Sequence, residues 1–240
     1  MIEWQDRGFV LSAKAFSDSD ALVTILSAAH GRVAGLVKGG ASRKRQADLQ
    51  PGNLGAITWR ARLDDQLGQL TFEPTRAYAS LVLDDRARLT AIQAFAALAM
   101  ASLSEREPTP GLFQALETWL DHLDQDFWPL LYVKLELGLL ATLGFSIDLD
   151  SCALGGDDRR LSHVSPKTGR AVSQDLAQPY IAKLLPLPRF LGGLNDLGQG
   201  EVTAGLQLSG TLLARHVFAA INQDLPEVRH RLVDQLSIPN

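Results

Sequence analysis

A single cysteine, Cys152, stands in 240 residues, so the chain can form no intrachain disulfide and no four-cysteine zinc site. A lone thiol suits a reducing compartment. Also missing are the spacings GxSxG, GxxxxGK[ST] and HExxH, which would announce a nucleophile elbow, a phosphate loop or a zinc-peptidase helix. The five histidines, His30, His122, His163, His216 and His230, are scattered singly. The carboxylate pairs Asp64-Asp65, Asp84-Asp85 and Asp157-Asp158 are adjacent rather than facing. Adjacent carboxylates suit turns and helix starts, whereas a nuclease needs acidic groups that converge on a metal. These absences predict a binding protein rather than an enzyme, with no cofactor and no metal. No apolar run approaches the roughly 20 residues needed to span a bilayer. The start, MIEWQDRGFV, has neither the cationic opening nor the apolar stretch of a secretory leader. A cytoplasmic protein away from the membrane is expected.

Hydrophobic residues make up 46% of the chain and charged residues 21%, enough to bury a sizeable core in one large domain or two small ones. The formal net charge is −4, yet the distribution is uneven. Residues 1–80 hold ten Lys/Arg against eight Asp/Glu, and the remainder thirteen against nineteen. Within the first region, VKGGASRKRQADLQPG (residues 37–52) places Arg43, Lys44 and Arg45 side by side after a glycine pair. Global acidity does not exclude nucleic acid when local charge opposes it.

The first third reads as β. In GFVLSAKAF (8–16), polar Ser12 and Lys14 alternate with apolar neighbours, the period of a half-buried strand. ALVTILSAAHGRVAGLVKG (21–39) holds two β-branched runs joined across Ala29-His30-Gly31, which is hairpin chemistry. In AITWRAR (56–62), Ile57, Trp59 and Ala61 share one face while Thr58, Arg60 and Arg62 share the other. Asp64-Asp65-Gln66 then turns the chain into LGQLTFEP. Five strands are predicted, with a long loop between the third and fourth. A small closed barrel such as an OB-fold solves the edge problem most economically; an SH3-like barrel has a similar strand count.

From about Leu81 the period becomes helical. LDDRARLTAIQAFAALAMASL contains no Gly or Pro and starts near Asp84 and Asp85. EREPTPG breaks it, and LFQALETWLDHLDQDF and PLLYVKLELGLLATLGF follow. The second of these is apolar nearly all round, the mark of a buried central helix. PYIAKLL and LQLSGTLLARHVFAAINQDL are further candidates. The expected architecture is α+β and multidomain, with an OB-fold barrel over residues 1–80 and a helical domain over 81–240. A loop-rich insertion runs from Ile147 to Ser173, with short strands near LSHVS and RAV.

LELGLLATLGFSIDLDSC (135–152), followed by LSHVSPKTG (161–169), resembles the C-terminal domain of the bacterial DNA repair protein RecO family. There a buried helix ends at a Leu-Gly-aromatic step and leads into a cysteine-bearing module. DSDALVTILSAAHGRVAGLVKGGASRKRQADLQPG (18–52) resembles the barrel of the same family. The ordered matches run over essentially the whole chain. Many members carry two cysteine pairs that bind structural zinc. Here Cys152 is followed at three positions by Gly155, and GRAVSQDLA offers no second pair. The insertion, about residues 147–175, is therefore expected to be a zinc-finger-like module without its metal set, with Cys152 as a small buried residue.

The resemblance implies a recombination mediator of the RecF pathway. It implies binding of single- and double-stranded DNA, annealing of complementary strands, and cooperation with RecR. It also implies recognition of the acidic, aromatic-ended C-terminal tail of single-stranded DNA-binding protein by a hydrophobic and basic pocket in the helical domain. Replacement of that protein by RecA on DNA, at the nucleoid, would follow. The candidate DNA-binding residues are Arg43, Lys44 and Arg45, with Lys38, Arg60 and Arg62 adding charge on the same side. Gly39 and Gly40 would let a ligand backbone approach closely. Among Trp4, Phe9, Phe16, Trp59, Phe72 and Tyr78 most suit a core; Phe16, beside the polar SDSD turn, is the better stacking candidate. Arg159, Arg160, Lys167 and Arg170 form a second basic group. The alternatives are a non-catalytic protein-interaction adaptor and an RNA-binding accessory factor.

Overall fold

A computed structural model describes residues 1–63, 66–195 and 198–237. The chain divides into two compact units, Met1–Asp124 and Gln125–Asn240. The expected Asp64-Asp65 turn lies outside the described residues.

In the first unit β1 (Ile2–Ala15), β2 (Ala21–Ser27), β3 (Gly31–Val37), β4 (Leu54–Ala61) and β5 (Gly68–Arg76) close into a barrel of order β1-β2-β3-β5-β4. Closure depends on the length of β1. Its first half, Ile2 to Phe9, pairs with β4, and its second half, Gly8 to Ala15, pairs with β2. A register shift between Val10 and Ser12 bends the strand between these two partners. β3 and β5 run parallel, with Gly35 opposite Gly68. The alternation read in β4 holds: Ile57, Trp59 and Ala61 join Val23, Ile25 and Phe72 in the core, while Arg60 points outward.

The connection between β3 and β4 departs from expectation. Instead of an open loop it holds a short helix, α1 (Arg43–Asp48). Arg, Lys, Gln and Ala are all good helix formers, and the helix sets Leu49, only 1% exposed, into the barrel core. Asn53, equally buried, fastens the arrangement. Its Nδ2 donates to the carbonyls of Ala47 and Asp48, and its Oδ1 accepts from the Ala79 N–H.

After the one-turn α2 (Tyr78–Leu81) come α3 (Arg86–Ser102) and α4 (Pro110–Asp121). Asp85 caps α3 by accepting from the Arg88 N–H at 2.9 Å. Burial raises the Asp85 carboxyl pKa, but the Arg88 backbone and guanidinium outweigh it and hold the group below its ordinary value. α3 packs on β1, and the connector after it grips the β2–β3 hairpin. Arg106 N–H donates to the Arg32 carbonyl, and Arg32 Nε to the Leu103 carbonyl, both at 2.9 Å. Gly31 has φ +67°, and a Cβ there would lie 2.0 Å from the Glu107 carbonyl oxygen. The compact unit therefore extends past residue 80.

In the second unit α5 (Trp128–Thr142) packs on α7 (Glu201–Leu213). β6 (Leu161–Val164) is flanked by β7 (Ala171–Ser173) and β8 (Leu185–Pro186), and α6 (Gln174–Ala177) follows β7. PYIAKLL lies in a 3₁₀ segment, Gln178–Lys183, rather than an α-helix. A final helix, α8 (Glu227–Ser237), was not expected from the sequence. Its Arg229 reaches Glu136 on α5, the one acidic residue of that apolar helix. The pair is held by two hydrogen bonds of 2.8 Å, with side-chain exposures of 4% and 0%. Ser209 Oγ donates to the same carboxylate at 2.5 Å, and Gly210 leaves room for the guanidinium. Among the described residues no helix is long and apolar enough to cross a membrane.

Candidate nucleic-acid interface

The turn that precedes α1 is built from two polar segments. Gly39, at φ +68°, donates its N–H to Asp20 Oδ1 at 3.0 Å, and Ala41 N–H donates to the Ser19 carbonyl at 2.9 Å. Ala15 pairs with Ala21 and Ala21 with Val37, so Phe16, Lys38 and the start of α1 lie at one end of the barrel. Phe16 is 59% exposed there, while Trp59 is 1% exposed in the core. The glycine pair has a different task from the one expected. A Cβ on Gly40 would sit 2.8 Å from Ala21 Cβ, so its smallness accommodates the barrel's own strand, and Gly39 supplies the left-handed turn.

The adjacent cations separate into two kinds. Arg45 bridges Asp48 at 3.2 Å and donates to the Phe72 carbonyl at 2.9 Å, which pins α1 to β5. Arg43 and Lys44 are exposed, and their side chains make no ion pair or hydrogen bond among the described residues. They occupy the first turn of α1, the end where a helix favours acidic rather than basic groups. Their charge is therefore not accounted for by the helix dipole.

The outer residues of the strands arrange the remaining charges. Leu36 of β3 faces Gln69 of β5, Gln69 faces Arg60 of β4, and Arg60 faces Glu3 of β1. At about 4.8 Å between strands, Arg60 lies about 10 Å around the barrel from Leu36. Lys38 follows Leu36 by two residues and Arg62 follows Arg60 by two; because β3 and β4 run in opposite directions, the two lie on opposite sides of this outward row. Arg60 is paired with Glu3 at 2.9 Å. Lys38 and Arg62 are exposed and, among the described residues, unpaired. The barrel thus holds out four uncommitted cations, Lys38, Arg43, Lys44 and Arg62, and uses Arg45 and Arg60 internally.

An aromatic stack lies on another part of the barrel. His30 lies over Trp4 at 3.9 Å, Trp4 over Trp59 at 5.6 Å, and the Arg106 guanidinium over Trp59 at 5.0 Å. Trp4 is half-buried and packs against the core cluster. A recess of about 670 Å³ beside Tyr78 is less suited to anions, since Asp84, Asp85, Asp121 and Asp124 line it with Arg76 and Arg88. Asp121 accepts from both Arg76 and the Tyr78 hydroxyl, and burial together with that carboxylate raises the phenol pKa.

In the second unit the cysteine position does not fit zinc. Cys152 Sγ accepts from the Ser173 N–H and donates to Ser173 Oγ, each at 3.3 Å, while Cys152 N–H donates to Asp158 Oδ1. Burial raises this thiol's pKa, but those Ser173 bonds and neighbouring backbone N–H groups bring it below its usual value. His163 Nδ1 is hydrogen-bonded to Ser162 Oγ, and burial lowers its pKa. Among the described residues no three His, Cys, Asp or Glu side chains come together. Of the second basic group, Arg160 donates to Gln174 and Arg170 pairs with Asp148, whereas Arg159 and Lys167 side chains remain exposed and unpaired among the described residues.

Two family models match the chain. The one described as Recombination protein O N terminal covers residues 1–78, and Recombination protein O C terminal covers residues 83–224. The chain is 44% identical over 238 residues to the DNA repair protein RecO of Caulobacter vibrioides, covering 98% of this chain and 95% of that protein. It is 45% identical over 236 residues to the Rhodospirillum centenum protein of the same name, covering 98% and 94%. The Hyphomonas neptunium protein is 40% identical over 242 residues, with 99% and 100% covered.

Proposed function

The chain belongs to the RecO family of DNA repair and recombination proteins, and from that premise we propose that it acts as a recombination mediator. In this role it binds single- and double-stranded DNA, anneals complementary strands and, with RecR, helps RecA replace single-stranded DNA-binding protein. It performs no bond chemistry; exchange of one set of DNA and protein contacts for another supplies the free energy. Barrel order, the parallel closure of β3 on β5 and the helix between β3 and β4 support an OB-fold reading of the first unit.

The observation that carries DNA binding is the set of uncommitted cations, Lys38, Arg43, Lys44 and Arg62, held out from a closed barrel. Cations on such a surface follow the phosphates, and neutralising each phosphate releases counterions, so affinity falls steeply with salt. Phe16 offers an exposed ring for a base at the barrel end that carries Lys38 and the start of α1. The test is a salt titration of labelled single-stranded DNA and RNA with wild type and the double variant Arg43→Ala/Lys44→Ala. Loss of two phosphate contacts lowers the log–log salt slope by about 1.4. An unchanged slope removes α1 from the interface. Tighter binding to RNA than to DNA would favour the accessory-factor reading, and no salt-dependent binding to either would favour a protein adaptor.

A further inference from the structure

The recess of about 670 Å³ beside Tyr78 takes no part in DNA binding by the barrel cations, and its lining residues all belong to the first unit. Its apolar surface comes from Leu81, Val82, Leu83, Leu120 and Leu123. Val82, Leu120 and Leu123 are buried, as the wall of a folded unit requires. Leu81 and Leu83, on either side of Val82, are turned to water and are 76% and 66% exposed. Single exposed leucines need no explanation, but two that border one recess form a patch that a partner can cover.

The charges around this patch do not balance. Four carboxylates and two guanidinium groups line the recess. Arg88 pairs with Asp85, and Arg76 with Asp121, which also accepts from the Tyr78 hydroxyl. Asp84 and Asp124 remain exposed, and their side chains make no ion pair or hydrogen bond among the described residues. The paired groups hold the walls in place. Asp121, at the end of α4, joins Arg76 of β5 to Tyr78 of α2. Arg88 Nε donates to the Leu123 carbonyl, which fastens the residue before Asp124 to α3. The two unmatched carboxylates are therefore positioned before any ligand arrives, and pre-positioning reduces the ordering cost of binding.

We propose that this recess docks a basic protein segment that carries an apolar side chain. The unmatched carboxylates Asp84 and Asp124 select Lys or Arg on the partner. The exposed leucines select an apolar anchor, because covering them removes aliphatic surface from water. Nucleic acid does not fit, since it would bring phosphates against carboxylates. A small polyamine meets the charge but leaves Leu81 and Leu83 exposed. The recess is thus a protein-docking face of opposite sign to the cationic barrel surface, and its chemistry does not depend on the mediator reading.

The test uses the full chain and two fluorescent peptides followed by anisotropy at low salt. One is a run of Lys and Arg around a central Leu, and the other has Ser in place of that Leu. Two recess variants, Asp84→Lys/Asp124→Lys and Leu81→Ser/Leu83→Ser, are compared with Asp150→Lys/Asp224→Lys, which makes the same charge change at exposed positions elsewhere. Circular dichroism and the unfolding midpoint check that each is folded. Affinity for the Leu peptide is expected to fall about tenfold or more in each recess variant and to hold within about twofold in the control variant. Wild type should prefer the Leu peptide to the Ser peptide, and no recess variant should bind single-stranded DNA more weakly than wild type. Equal loss in the recess and control variants would reduce the effect to general attraction by an acidic chain, and the proposal falls. Equal binding of the two peptides makes the recess a cation site without an apolar anchor, which also overturns it. No binding of the Leu peptide to wild type overturns the docking face and leaves the DNA reading standing. Weaker DNA binding in the recess variants would assign the face to nucleic acid, against the proposal.

Discussion

Asn53 and Glu136 are the buried polar centres of the two units, 1% and 0% exposed, and they solve burial in different ways. Asn53 is neutral and satisfies backbone groups: it joins the end of α1 to the start of α2 through three hydrogen bonds. Glu136 carries charge into a helix that is otherwise apolar at its centre, and it needs Arg229 from about 90 residues away to be tolerated. A buried amide costs little once its bonds are made, whereas a buried carboxylate requires a matched cation. The barrel unit therefore keeps its charges at the surface, where some remain available to a ligand. The C-terminal unit uses a buried pair to fix α8 against α5 and α7.

Breaking the ion pair should have the largest effect. Glu136→Ala leaves the Arg229 guanidinium buried without its carboxylate and is expected to cost about 3–5 kcal/mol, read by urea unfolding. Glu136→Leu/Arg229→Met should recover most of that loss; no recovery would mean the pair contributes more than mutual neutralisation. Asn53→Ala should cost about 2–3 kcal/mol, because it strands the Ala47 and Asp48 carbonyls and the Ala79 N–H. A loss equal to that of Glu136→Ala would erase the distinction between neutral and charged centres.

A smaller effect, about 1 kcal/mol, is expected for Asp85→Ala at neutral pH through loss of the α3 cap. Its pH dependence has a definite sign. The folded-state pKa of Asp85 is lowered, so its contribution is present above the ordinary aspartate value of about 4 and is lost as pH falls below it. Unfolding of wild type and variant should therefore converge in acid; a gap that persists at low pH would show that charge on Asp85 is not what stabilises the cap. The smallest stability effect, within about 0.5 kcal/mol, belongs to Arg43→Ala/Lys44→Ala, since both side chains are exposed. Those cations should matter to the salt slope for DNA and little to folding.

Alternation in AITWRAR predicts which residues of β4 enter the core, and the hairpin through His30-Gly31 is legible from its turn chemistry. The N-terminal half of β1 is not, although it closes the barrel, because a strand's partners are set by distant segments. α1 was obscured by its glycine flank and charge, features of a loop that also suit a short helix once Leu49 has a core to enter. A single Glu within an apolar helix was a signal that a buried partner must exist. Nothing local identified Arg229, since α8 has a polar average and its one deep contact is long-range.

Composition and period by themselves determined a β region followed by helices, the absence of a cysteine set for zinc, and a basic cluster opposing an acidic chain. They act through neighbours a few residues apart, where pleat and helical repeat are visible. Tertiary structure decided what each charge does. Arg43, Lys44 and Arg45 are chemically alike and adjacent, yet Arg45 meets Asp48 and the Phe72 carbonyl while the other two face outward. Asp84 and Asp124 are far apart in sequence, yet they border one recess. Charge is a property of the residue; its availability depends on what the fold places beside it.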